Sequence, residues 1–176
     1  IIYVKETDTA KSQVSITNAS KAIYQYYIDK RILLESVHSC GRYASLRRGL
    51  HQKIVSYTLF GKNKFYSDKI KNVSRQIKKF YPGWHMRVYH DSSIDRSIVC
   101  DVECLRDDDG KLLDVADFCD LSEFRVNVRG KMYKPVEYVL PRMWRFFAIG
   151  DSFVDLMISR VSDSYILQRE VDAVNE

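Results

Sequence analysis

The stretch with the most chemical potential is "SRVSDS", residues 159–164. It sets one carboxylate, Asp163, among the hydroxyls of Ser159, Ser162 and Ser164. Just before it, "FVDLMIS" (153–159) is apolar enough to read as a central strand. An acidic residue at the end of a buried strand is a way for an α/β domain to hold a hard divalent ion against a diphosphate, with substrate phosphates completing the oxygen shell. On that chemistry Asp163 is the candidate metal ligand, and Ser162, Ser164 or water the auxiliaries. A plainer reading stands beside it, in which Asp163 and Ser164 cap the helix that starts near Leu167.

Arg145 is the second group of interest, standing inside the aromatic run "MWRFF" (143–147). An arginine in an apolar helix must reach water, a carboxylate or a substrate phosphate, because an unpaired buried charge is costly. Lys62 and Lys64 are read equally as phosphate contacts and as surface lysines. His85 and His90 flank a strand with no carboxylate or cysteine at metal or triad spacing, so both read as structural, and Asp91 reads as a loop cap, with contact to a nucleoside as the alternative. Trp84 and Trp144 read as core. Cys40, Cys100, Cys104 and Cys119 form no CxxC pair, which argues against a structural zinc and leaves disulfides open. No P-loop, GxGxxG, HExxH or GxSxG is present, so kinase, dinucleotide, zincin and hydrolase readings lack support.

The elements that must position these groups become legible from Lys53 onward. "KIVSYTLFG" (53–61) has the composition of a strand buried on both faces and stops at a glycine. The next segment spaces Ile70, Val73, Ile77 and Phe80 helically, with Ser67 as its expected N-cap and Pro82-Gly83 as its stop. "WHMRVYH" (84–90) alternates as a second strand. Residues 96–105 stay open between helix and strand, and 106–111 read as a turn. Residues 134–149 read as a helix with Val139, Met143, Phe146 and Phe147 on one side, kinked at Pro141 or starting there. Residues 167–176 open a last helix. Alternating strands and helices predict an α/β fold, a mostly parallel sheet flanked by helices. Ligands in such sheets lie at the carboxyl ends of strands, which singles out the loops after Phe60 and after Ser159.

The bulk numbers fit one folded domain. The chain has 176 residues, 45% hydrophobic and 29% charged, with a net charge of +5. The excess lies largely in 41–53 and 69–79, and the second reads as the wet face of a helix. No run approaches the ~18 apolar residues of a membrane span, and the start lacks a signal-peptide pattern. The chain does not begin with Met and breaks off inside a helical pattern, so it reads as an excerpt, with a membrane anchor outside it left open. Sequons at Asn18 and Asn72 would matter only in a secretory compartment.

"YTLFG", "YPGWHMRVYHDSS", "ADFCDLSEFRV", "MWRFFAI", "VDLMISRVSDS" and "REVDAVNE" together resemble a glycosyltransferase-like family with a GT-A, nucleotide-sugar-binding type of domain. The resemblance spans about Lys53 to Glu176 and is most specific from Met143 onward. In that family the knot carries two aspartates, a DxD motif that holds manganese and the diphosphate. Here the first aspartate is replaced by Val161, and the second is matched by Asp163. The resemblance implies Mn2+ or Mg2+ at Asp163, a phosphate-facing Arg160, and Tyr57, Leu59, Phe60 and Gly61 at the nucleobase. Arg145 and Ser162 complete the implied nucleotide-sugar site.

The expected organisation is therefore an N-terminal helical or linker segment, 1–52, with a helix over 19–35. After it, 53–176 is the front part of a nucleotide-sugar-binding domain, incomplete at its C-terminus. The expected function is transfer of a sugar from a UDP- or GDP-sugar to an unknown acceptor, in the secretory lumen or Golgi, or in the cytoplasm of a bacterium. Two alternatives are an inactive relative that only binds and a basic adaptor for nucleic acid or anionic lipid. No RNA- or DNA-binding motif speaks for the adaptor.

Overall fold

In "QKIVSYTL" Ile54, Val55, Tyr57 and Leu59 supply apolar groups to both faces, which suits a strand covered on both sides, and Gln52–Leu59 forms β1 with only Lys53 exposed. The computed structural model describes residues 39–40, 47–122 and 124–175. The helix expected over 19–35 and the Asn18 sequon lie outside the described residues.

After β1 come α1 (Lys64–Phe80), β2 (His85–His90), α2 (Arg96–Glu103) and β3 (Ala116–Asp120). A two-stranded antiparallel ribbon, β4 (Val126–Val128) and β5 (Lys131–Tyr133), follows. Then come a short α3 (Pro135–Tyr138), a 3₁₀ helix (Pro141–Gly150), β6 (Val154–Ser159) and α4 (Gln168–Asn175). The main sheet has the order β3-β2-β1-β6 and is parallel throughout. The parallel pairing expected of 54–60, 84–90 and 154–159 is what the structure has. β6, expected as a central strand, is the edge of the described sheet, and Asp155 and Leu156 are exposed on it.

Alternation along β1 sorts the core into two layers. Val55, Tyr57 and Leu59 join Ile70, Val73 and Ile77 of α1 and Val171 of α4. Ile54 faces the other way, with Tyr89, Cys119, Leu121, Trp144 and Ala148. The 3₁₀ helix covers this second face.

Several expectations need correction. α1 begins earlier than Ser67: Asn63 is its N-cap, its side chain accepting from the Phe65 N–H, and Ser67 is buried inside the helix. The open segment 96–105 is a helix capped by Asp95. The single helix expected over 134–149 is two pieces. Pro141 has no N–H to donate and forces Leu140 into an extended conformation, so α3 ends at Tyr138 and a 3₁₀ helix starts at Pro141. Trp144 and Ala148 are its buried residues, while Met143, expected on one side with Val139, Phe146 and Phe147, is 48% exposed.

β3 was not read from the sequence as a strand. Its buried Asp117 is held by Arg47 and Arg48, and its Cys119 is bonded to Cys40. The basic stretch expected to be a connector is thereby tied to the sheet, and β1 already begins at Gln52.

Candidate functional site

Sequence runs from β1 outward through β2 to β3, then returns to place β6 on the other side of β1. The strand order reverses at β1, with β2 added on one side and β6 on the other, and at such a switch point the connections leave a crevice beyond the carboxyl ends of the strands. A cleft of about 520 Å³ lies there. β1 and the residue after it contribute Thr58, Leu59 and Phe60, and the first turn of α1 contributes Tyr66. The 3₁₀ helix adds Arg142 and Arg145, and the turn after β6 adds Val161, Ser162 and Asp163.

Two hydroxyls explain why Arg145 stands where it does. Ser56 Oγ donates to the Arg145 carbonyl at 2.6 Å, and the Arg145 N–H donates to Thr58 Oγ1 at 2.9 Å. Both come from the face of β1 under the 3₁₀ helix, so polar residues in an otherwise apolar strand fix the helix to the sheet. The side chain is half-buried beside Phe146 and has its Nε enclosed without a hydrogen-bond partner. Among the described residues no carboxylate stands within ion-pair distance of Arg142 or Arg145.

The polar knot is a turn. Ser164 N–H donates to the Val161 carbonyl at 3.4 Å, and Lys69 Nζ reaches the Asp163 carbonyl at 3.1 Å. Asp163 is exposed on the cleft wall. It does not cap α4, which starts five residues later at Gln168, behind Leu167. The plainer reading of Asp163 and Ser164 as helix caps therefore does not hold.

Leu59, Phe60, Arg145, Ser162 and Asp163 line the cleft as a set. Three other expected contacts do not. Arg160 is turned inward: its guanidinium pairs with Glu170 and donates to the Tyr165 carbonyl at 2.8 Å. A charge that is 9% exposed needs such partners, and they commit it to holding the turn against α4. Tyr57 is fully buried on the α1 side of β1 and faces Arg160; burial first of all pushes its hydroxyl pKa up, so it stays protonated. Gly61 sits just outside the lining residues. Its φ of +76° lets the chain turn, and its N–H donates to Ser93 Oγ at 2.8 Å, so its role is to aim Phe60.

Thr58, Tyr66 and Arg142 are the lining residues that sequence reasoning missed. For Arg142 a signal existed: it precedes Arg145 by three residues, and in a 3₁₀ helix side chains at i and i+3 eclipse.

A hard divalent ion needs several oxygen ligands, and anionic ones set its affinity. The cleft has one carboxylate, and Val161 has no donor atom to add. Among the described residues no group of three or more His, Cys, Asp or Glu converges. This donor set does not fit a dedicated site for Mn2+ or Mg2+.

At the opposite, amino ends of the strands lies a closed polar cluster of Arg87, Asp151, Gln52 and Ser39. All four residues are buried. Asp91 acts as the loop cap expected of it, accepting from the Ser93 N–H. Among the described residues no helix is long and apolar enough to cross a membrane. No family model, curated protein or solved structure matches the chain.

Proposed function

We propose that the domain binds a nucleoside-diphosphate sugar, in the manner of a GT-A-like glycosyltransferase, and transfers the sugar to an acceptor hydroxyl. One observation carries the reading: a cleft at the switch point between β1 and β6 joins an aromatic wall to a pair of arginines. Phe60 and Tyr66, 40% and 37% exposed, offer ring faces on which a nucleobase can stack. The arginines lie across the same space, where a diphosphate would follow. The cleft volume falls within the range usual for small-molecule sites.

In this reading the acceptor oxygen bonds to the anomeric carbon as the bond from that carbon to the diphosphate breaks. The nucleoside diphosphate leaves, and the hydroxyl proton passes to a base. The disulfide between Cys40 and Cys119 supports an oxidising compartment such as the secretory lumen. A binding-only relative is the second reading. It is favoured by Val161 at the cleft wall and by Asp163 being the lone acid among the lining residues.

Calorimetric titration of the chain with a panel of UDP- and GDP-sugars tests the proposal. Saturable binding that weakens in Phe60→Ala and is displaced by the parent diphosphate is expected. A cooperatively melting protein that binds none of them overturns the reading. Binding without release of sugar to any hydroxyl acceptor selects the second.

A further inference from the structure

We propose that the diphosphate in this cleft is held by Arg142 and Arg145 as a guanidinium clamp that works without a metal ion. The proposal rests on the nucleotide-sugar reading and deepens it by naming the groups that take the charge. Four observations converge on it.

The two arginines are three residues apart on a 3₁₀ helix, and both line the cleft. At 3.0 residues per turn their side chains leave the helix along one line, separated by about 6 Å of rise. That arrangement presents two planar forks to one extended anion, and guanidinium groups match phosphate oxygens bidentately.

Neither arginine is in an ion pair among the described residues. The Arg145 Cζ lies 5.3 Å from the centre of the Phe146 ring, a contact that leaves the N–H groups of the fork in the plane for an anion. Every carboxylate in an ion pair there is paired with other cations, and the Arg145 Nε is enclosed with no acceptor. Arg160 shows the contrast: close by, it is consumed by Glu170 and the Tyr165 carbonyl.

Arg145 is also pre-positioned, since Ser56 and Thr58 pin its backbone to β1 at 2.6 and 2.9 Å. A cation fixed before the ligand arrives loses less freedom on binding.

Finally, the charges along the wall sum to a cationic site. Two arginines face one carboxylate, Asp163, and Lys69 reaches that residue's carbonyl from α1. A diphosphate meets a positive field here, where a metal ion would meet a negative deficit.

The test titrates UDP, GDP and inorganic pyrophosphate into the whole chain, with EDTA and separately with Mn2+. Binding of a nucleoside diphosphate is expected to persist in EDTA and to weaken with salt. Arg142→Ala and Arg145→Ala should each lower that metal-free affinity on the order of ten- to hundredfold. Lys78→Ala, exposed on α1, is the neutral control. Thermal melts accompany each variant; if Arg145→Ala fails to fold, Arg142→Ala carries the test, because Arg142 is exposed.

Binding that vanishes in EDTA and returns with Mn2+ overturns the clamp and leaves the nucleotide reading standing. Unchanged metal-free affinity in both variants also overturns it. Pyrophosphate binding that depends on the arginines, with no added affinity from the nucleoside, upholds the clamp and removes the nucleotide reading. Absence of binding by all three probes overturns both.

Discussion

The Arg87 guanidinium and the Asp151 carboxylate meet at 2.7 Å with both side chains at zero exposure. Arg87 lies in the middle of the sheet on β2, and Asp151 stands just ahead of β6 at its edge. Gln52 accepts from the second Arg87 nitrogen at 2.7 Å, and Asp151 also accepts from the Phe153 N–H at 3.0 Å. One carboxylate thus ties the entry of β6 to β2 across β1.

Breaking that pair should be severe. Removing one partner of a buried ion pair strands the other charge, at a cost of about 3–5 kcal/mol. Asp151→Ala should lose that much in urea unfolding. Replacing both residues, Arg87→Met with Asp151→Leu, should cost less than the single change, because no charge is left unpaired. A double variant less stable than either single one would contradict this account.

The Cys40–Cys119 disulfide spans 79 residues and anchors the segment before β1 to β3. Closing a loop of that size restricts the unfolded chain and is worth about 4 kcal/mol. Reduction with dithiothreitol, or Cys40→Ser, should lower the melting temperature on the order of 10 °C. Coincident melts of the reduced and oxidised protein would show that the bridge contributes nothing.

His85 should set the acid side of the stability curve. Burial, and after it the neighbouring Arg48, hold its pKa down at about 4, against about 6.5 in an unfolded chain. Between those values the unfolded state binds the proton and the folded state does not. Stability therefore rises with pH across that window and falls on acidification, by at most about 1.4 kcal/mol per pH unit. Burial alone would raise the carboxyl of Asp117, but Arg48 and Arg47 hold it below the usual carboxylate value, so its loss comes at still lower pH. His85→Gln should flatten the curve between pH 6.5 and 4 and leave the more acidic limb. An unchanged slope in the variant would assign that limb to other groups.

The parallel sheet was legible because β1, β2 and β6 carry short apolar runs or an apolar alternation next to clear turn and helix signals. β3 was hidden for the converse reason. "ADFCD" carries two aspartates in five residues, which speak against a strand until Asp117 finds Arg47 and Arg48 and Cys119 finds Cys40, and such long-range partners leave no local trace. Placement of Asp163, Phe60 and Arg145 at one cleft followed from the rule that α/β ligands lie at strand ends. The fates of Arg160 and Tyr57 did not. Whether a cation faces a ligand or a glutamate ten residues on depends on how a turn folds back, which residue types alone do not settle.

Val161 gives the most direct test of how this cleft handles charge. Its side chain is 44% exposed and lines the cleft beside Ser162 and Asp163, so an aspartate there meets no packing obstacle and points a carboxylate into the same space. Two carboxylates two residues apart on one turn supply the anionic oxygens that a hard divalent ion needs, and the phosphates supply more. In V161D, Mn2+ should therefore strengthen binding of a nucleoside diphosphate about tenfold or more. In the parent chain Mn2+ should change it little. Without metal the variant should bind more weakly than the parent, because the added negative charge opposes the ligand and offsets Arg142 and Arg145. That pair of opposite signs, weaker in EDTA and stronger in Mn2+, separates restoration of a metal site from a general effect on folding. If V161D responds to Mn2+ no more than the parent does, the turn after β6 does not present its carboxylates to a bound diphosphate, and Asp163 loses its place in the site.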